Sequence, residues 1–212
     1  MSQSFSTQYY ETLEFFKKKF HDDSKTLEET NHMMDDTPIP IPNNHIVNEV
    51  KLDERYRIKS KEYLEVGLKM YEDVVDEKWK DFDDGGLCGE WINMKDEKKE
   101  GESNLGKIKV TERVVLYFFG GGYFTGSSKI SRNKTFLIAE NAECQVFSFD
   151  YHLTPKHQFP TQLCDALAAY FYLTNPGPEA GFEPIDPKRI VFVGSSAGGG
   201  LAVGTALFLR DA

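Results

Sequence analysis

Arg189-Ile190-Val191-Phe192-Val193-Gly194-Ser195-Ser196-Ala197-Gly198-Gly199-Gly200-Leu201 is the stretch on which the fold turns. The apolar run 190–193 has the length and β-branched content of a buried strand, and it ends at Gly194. From residue 199 to residue 210 small and apolar residues run without a breaker until the end of the chain, which predicts a helix. Between them Ser196 sits in Gly-x-Ser-x-Gly. A strand, a tight glycine-flanked turn and a helix form the setting in which a serine hydroxyl is presented above a sheet with a helix N-terminus beneath it.

Upstream the same alternation repeats. Residues 114–119 form an apolar run that enters Gly120-Gly121-Gly122. Residues 136–142 read as part of a helix, 145–149 as a strand and 162–173 as an alanine-rich helix. Strands alternating with helices predict an α/β fold with a mostly parallel sheet and flanking helices. The apolar strands are continuous rather than alternating, which fits a sheet covered on both faces.

Nearer the N-terminus the text changes. Tyr9, Leu13, Phe16 and Phe20 give residues 8–20 the spacing of a short amphipathic helix. Residues 21–50 are polar and proline-bearing, and Pro38-Ile39-Pro40-Ile41-Pro42 reads as an extended linker. A second helix is predicted over 54–75, with Leu64, Leu68, Tyr71 and Val75 in one stripe widened by Tyr63, Gly67, Met70 and Val74. Residues 88–94 can form a strand, and the charged stretch 95–107 reads as a loop. Residues 1–110 hold 17 Lys/Arg against 25 Asp/Glu, a net −8, while 111–212 hold 8 against 9, a net −1. The charge-rich first half is solvated, and the second half is the core.

A net charge of −9 argues against a nucleic-acid or anionic-membrane surface. No stretch approaches the roughly 18 apolar residues of a membrane span. Cys88, Cys144 and Cys164 are odd in number and lack metal-ligand spacing, so they read as reduced, buried thiols of a cytoplasmic protein. The first eight residues have neither the basic nor the apolar region of a signal peptide, and the sequon Asn133-Lys134-Thr135 is read as chance.

Chemistry concentrates at two places. A serine such as Ser196 needs a neighbouring base to become a nucleophile. Glycines at 194 and 198 relieve the crowding of a strained turn. Phe119-Gly120-Gly121-Gly122-Tyr123 follows a strand, where glycines can turn backbone N–H groups toward one point, and the N–H of Ala197 at the helix start would be a further donor. A phosphate loop is the competing reading of the glycines. Gly120 to Gly126 misses Gly-x-Gly-x-x-Gly by one residue, and no Gly-Lys-Ser/Thr follows.

Four blocks then stand in order: Tyr117-Phe118-Phe119-Gly120-Gly121-Gly122-Tyr123, Asp150-Tyr151-His152-Leu153-Thr154-Pro155-Lys156-His157-Gln158-Phe159-Pro160, Asp165-Ala166-Leu167 and Gly194-Ser195-Ser196-Ala197-Gly198-Gly199. Together they resemble the hormone-sensitive-lipase-like branch of the α/β-hydrolase superfamily, a group of carboxylesterases and lipases. The resemblance covers roughly residues 86–212. It implies an α/β-hydrolase fold, with residues 86–212 as the N-terminal part of the catalytic core and residues 1–85 as a helical cap segment. It implies Ser196 as nucleophile, Gly121, Gly122 and Ala197 as oxyanion donors, no metal or organic cofactor, and a small-molecule ester or lipid as substrate. The chain departs from the pattern at Phe119, where the family has histidine, and at Ser195, where it has aspartate. His152 and Lys156 stand for the family's arginine and glutamate.

Triad partners in this fold follow the serine as Asp or Glu and then His. After Ser196 the chain has Asp211, about four turns along the predicted helix, and no histidine; His21, His32, His45, His152 and His157 all precede it. His152 and His157 belong to a block whose usual role is structural. The helical pattern still runs at Arg210-Asp211-Ala212 with no C-cap glycine, and the strand 190–193 would stand at a sheet edge. These features predict a C-terminally truncated hydrolase core. Three readings follow: a serine ester hydrolase lacking its base in this polypeptide, a non-catalytic acyl- or lipid-binding regulatory protein that retains the fold, and a fragment with no function of its own.

Overall fold

The structure, a computed structural model, describes residues 37–69, 75, 77–80, 85–95 and 113–211, together with Glu11, Glu14, Thr26 and Glu29. The chain divides into two compact units, Met1–Asp35 and Asp36–Ala212. In the first, Glu11 and Glu14 are helical, inside the stretch where a helix is predicted; Tyr9, Leu13, Phe16 and Phe20 lie outside the described residues. Thr26 and Glu29 make a capping box. The Thr26 N–H donates to the Glu29 carboxylate at 2.8 Å and the Glu29 N–H donates to Thr26 Oγ1 at 3.2 Å. Each side chain satisfies an N–H that the first helical turn leaves without a partner.

The second unit is built on a five-stranded mixed sheet. In chain order its elements are β1 (His45–Lys51), α1 (Glu54–Leu68), β2 (Cys88–Met94), β3 (Val114–Phe118), α2 (Arg132–Ala142), β4 (Gln145–Phe149), α3 (Thr161–Thr174), β5 (Ile190–Gly194) and α4 (Ala197–Asp211). The strand order is β1-β2-β4-β3-β5. β3 runs parallel to β4 and to β5, as the strand–helix alternation predicts. β1–β2 and β2–β4 are antiparallel, so the parallel part is confined to the three later strands. β3 and β4 are buried at every position, which accounts for their unbroken apolar sequence. β5 lies at the edge of the sheet, with Val191 47% exposed.

Two expectations for the N-terminal half need correction. Residues 45–50, part of the polar, proline-bearing stretch in which no strand is predicted, belong to β1, which pairs with β2 from His45 opposite Met94 to Lys51 opposite Cys88. Being an edge strand, β1 buries only His45 fully, so its sequence stays polar. The second helix ends at Leu68 rather than Val75, and residues 70–74 lie outside the described residues. Its buried positions are Tyr56, Arg57, Ser60 and Leu64, so two polar residues occupy the face where a purely apolar stripe is expected. Asp53 caps this helix by accepting the Arg55 N–H at 2.9 Å.

Aromatic side chains fill the centre. Trp91 is fully buried, with ring centroids 5.0 Å from Phe147 and 5.3 Å from Phe182, and its indole N–H donates to the Tyr172 hydroxyl at 3.1 Å. Burial pushes the Tyr172 phenol up to about 12. An ionising phenol is then favoured in the unfolded chain first. Stability held at neutral pH is therefore lost as pH rises from the ordinary tyrosine value of about 10 through about 12, by roughly 2–3 kcal/mol for this group. Urea midpoints measured at pH 8 and pH 11 should differ by less in Tyr172→Phe than in the parent chain. An identical alkaline loss in both would assign the effect to other groups.

Candidate active site

The turn after β5 is fixed from both sides. The Ser195 N–H donates to the Phe118 carbonyl at 3.1 Å, which carries the β3–β5 pairing one residue past the strand. Ser196 then adopts φ +52°, a left-handed conformation uncommon for a residue with a β-carbon. α4 starts at the next residue. Of its first four N–H groups, Gly198 donates to the Ser195 carbonyl at 2.9 Å, and Gly199 and Gly200 donate to the Ser196 carbonyl at 2.9 and 3.2 Å. The Ala197 N–H is the one left over, with no acceptor among the described residues. Ser196 is exposed, and its hydroxyl has no hydrogen-bond partner among the described residues.

The glycines of the turn are there for contact. The α-carbon of Gly198 lies on the ends of the β3 carbonyls, and a β-carbon built there would stand 2.6 Å from the Phe118 carbonyl carbon. That is far inside van der Waals contact with backbone that cannot move aside. α4 therefore approaches β3 as closely as backbone permits.

The glycine loop meets the turn at Gly120. A β-carbon there would fall 3.3 Å from Ser196 Cβ and 2.6 Å from the Ser195 carbonyl oxygen. Gly121 (φ +141°), Gly122 (φ +62°) and Tyr123 (φ +65°) follow with positive φ, which folds the loop back on itself. The Gly121 carbonyl accepts from the Phe124 and Thr125 N–H groups, both at 3.1 Å. The N–H groups of Gly121 and Gly122 have no acceptor among the described residues. The fold thus brings the serine turn and the glycine triplet side by side.

Phe119, where the sequence departs from the expected histidine, is buried. Its ring stacks on Tyr151 with centroids 4.1 Å apart and planes 7° from parallel, and its carbonyl accepts from the Tyr151 hydroxyl at 2.7 Å. Burial pushes the Tyr151 phenol well above the ordinary tyrosine range.

His152 is engaged elsewhere. Its Nδ1 lies 2.7 Å from the Asp165 carboxylate, which also accepts the His152 backbone N–H at 2.8 Å. The other Asp165 oxygen lies 2.9 Å from Nε of Arg57 on α1, and both Arg57 and Asp165 are buried. A guanidinium thus reaches Asp165 from α1. The ring of His157 lies 4.5 Å from that of His152. Asp211 pairs with Arg210 at 2.5 Å on an exposed part of α4. Sequence reasoning missed Lys134, whose ammonium donates to Ser195 Oγ at 3.2 Å from the first turn of α2. It missed Arg57 as well. A charged residue at a core-facing helical position was the available signal.

A serine at the crest of a strand–turn–helix, beside a glycine loop at the end of the neighbouring parallel strand, is an arrangement of the α/β-hydrolase fold. Residues 115–212 match the family model described as the α/β-hydrolase fold. Over those residues the chain matches that family model, and its ordered blocks resemble those of the hormone-sensitive-lipase-like esterases. An arylesterase of Saccharolobus solfataricus is 35% identical over 98 residues, which are 46% of this chain and 31% of that protein. Human arylacetamide deacetylase-like 2 is 42% identical over 101 residues, 45% of this chain and 24% of that protein. The crystal structure of an esterase from the bacterial hormone-sensitive lipase family superposes with a TM-score of 0.61 at 24% identity, covering 99% of this chain and 54% of that one. The chain thus spans about a third or less of these curated relatives and about half of the solved structure.

Proposed function

We propose that this chain carries the nucleophile half of a serine carboxylic ester hydrolase. Ser196 Oγ attacks the ester carbonyl carbon while its proton passes to a base. The N–H groups of Gly121, Gly122 and Ala197 receive the oxyanion, the alcohol leaves, and water hydrolyses the acyl-enzyme. No metal or organic cofactor enters these steps. The observation that carries the reading is the positive-φ Ser196 followed by Ala197, whose N–H alone of the first turn of α4 has no acceptor among the described residues. Such a donor, fixed before the reaction, typically contributes about 2.7–4 kcal/mol to the transition state. The names of the curated relatives point to aryl esters and acetyl groups as the small-molecule substrate class. Three free cysteines, Cys144 and Cys164 buried and Cys88 exposed where the sequence reading expects it buried, fit a reducing compartment, which supports a cytoplasmic location.

Hydrolysis of a short-chain nitrophenyl ester by the purified chain, compared with Ser196→Ala, tests the reading. Turnover should be weak, because no base is hydrogen-bonded to Ser196 among the described residues, and it should vanish in the variant. Equal rates in the two proteins would remove Ser196 from the chemistry. The unpartnered hydroxyl also favours a second reading, a non-catalytic acyl-binding protein. Saturable binding of a fatty acyl ligand, with no serine-dependent turnover, would select that one.

A further inference from the structure

The segment that follows β4 fastens the glycine loop at three points. The Asp150 carboxylate accepts the Ser128 N–H at 2.6 Å and the Ser128 hydroxyl at 3.0 Å, which holds the loop's far end. Thr154 donates its N–H at 2.8 Å and its hydroxyl at 3.2 Å to the Tyr123 carbonyl, which holds the crest at a positive-φ residue. Tyr151 donates its hydroxyl to the Phe119 carbonyl at the near end and stacks on the Phe119 ring. The segment is itself anchored to α3, because Asp165 takes both the backbone N–H and the Nδ1 of His152.

Of the three fastenings, the Phe119 carbonyl has the greatest consequence. It belongs to the peptide that leads into Gly120, and Gly120 is the point at which the loop touches Ser195 and Ser196. Gly198 of α4 packs against the same carbonyl. One backbone oxygen thus meets both the Tyr151 hydroxyl and the start of the serine helix. A peptide fixed in this way fixes the direction in which Gly121 and Gly122 leave it. A histidine ring at position 119 is unnecessary for that task, because the phenylalanine stacks on Tyr151 instead.

We propose that Tyr151 is a positioning residue that holds the glycine loop against the Ser196 turn through the Phe119 carbonyl. The consequence for catalysis rests on the oxyanion role proposed for Gly121 and Gly122. Tyr151→Phe in the full chain keeps the ring and removes one hydroxyl. Two readouts then decide. Amide exchange of Phe124 and Thr125, both bonded to the Gly121 carbonyl, should accelerate about tenfold, the change that about 1.4 kcal/mol of lost hydrogen bonding produces, while the amides of β3 and α3 keep their protection. Labelling of Ser196 by a fluorophosphonate should lose about tenfold in its maximal rate at unchanged half-saturating concentration. Unchanged loop exchange would overturn the proposal. So would a uniform acceleration across the sheet, which would make Tyr151 a general stability residue. If the parent chain itself resists labelling, the hydrolase reading fails, and the exchange measurement still decides the positioning role.

Discussion

Asp165→Ala is expected to cost the fold about 3–5 kcal/mol, seen as a large drop in the urea midpoint followed by circular dichroism. Asp165 is completely buried and neutralises Arg57, which is 1% exposed. Removing the carboxylate takes away the ion-pair partner that the buried guanidinium has at 2.9 Å, and breaking a buried pair from one side is strongly destabilising. It also strips the acceptor from the His152 N–H and Nδ1, so the segment that braces the glycine loop loses its anchor. The double variant Asp165→Leu/Arg57→Leu should recover the part of the loss that comes from the broken ion pair, because it removes both charges, while the His152 N–H still lacks its acceptor. A midpoint unchanged in Asp165→Ala would mean that the pair is reached by solvent and that α1 is not tied to α3 by charge.

The second large effect is expected from Gly198→Ala. An added methyl meets the carbonyls of Phe118 and Phe119, where nothing flexible can yield. α4 must withdraw from β3 by a substantial fraction of an ångström, and Ser196 moves with it. Overpacking of this kind costs about 1–3 kcal/mol or more in stability. For the reaction proposed here, a displacement near 1 Å costs about a hundredfold in rate. Comparing thermal midpoints with Ser196 labelling rates separates the two consequences. Gly204→Ala, on the same helix with nothing within 4 Å of an added β-carbon, is the control and should leave labelling unchanged while stabilising the fold by up to about 1 kcal/mol. Equal behaviour of the two variants would contradict the close α4–β3 contact.

How much of this was legible follows from where each signal lies. β3 and β4 were readable within a residue because strands buried on both faces write continuous apolar runs, and β5, although it stands at the edge, keeps an apolar run that Gly194 ends. The Ser196 turn was readable because its conformation demands small neighbours at fixed offsets. β1 was not, since an edge strand half open to water keeps polar residues, and a proline-rich approach looks like linker. Arg57 escaped for a different reason. Its burial is licensed by Asp165, 108 positions away in sequence, and periodicity within one helix carries no trace of such a partner. The block at residues 150–154 could be recognised as a unit, whereas its three fastenings to residues 119–128 are a matter of tertiary geometry.

The central claim is that Ser196 is held as a nucleophile between the glycine loop and the start of α4. Incubation of the chain with a fluorophosphonate, followed by peptide mass spectrometry, tests it most directly. We expect a single adduct on the peptide containing Ser195 and Ser196, localised to Ser196 and absent from Ser196→Ala. No adduct, or one that persists in that variant on Ser195 or elsewhere, would contradict it.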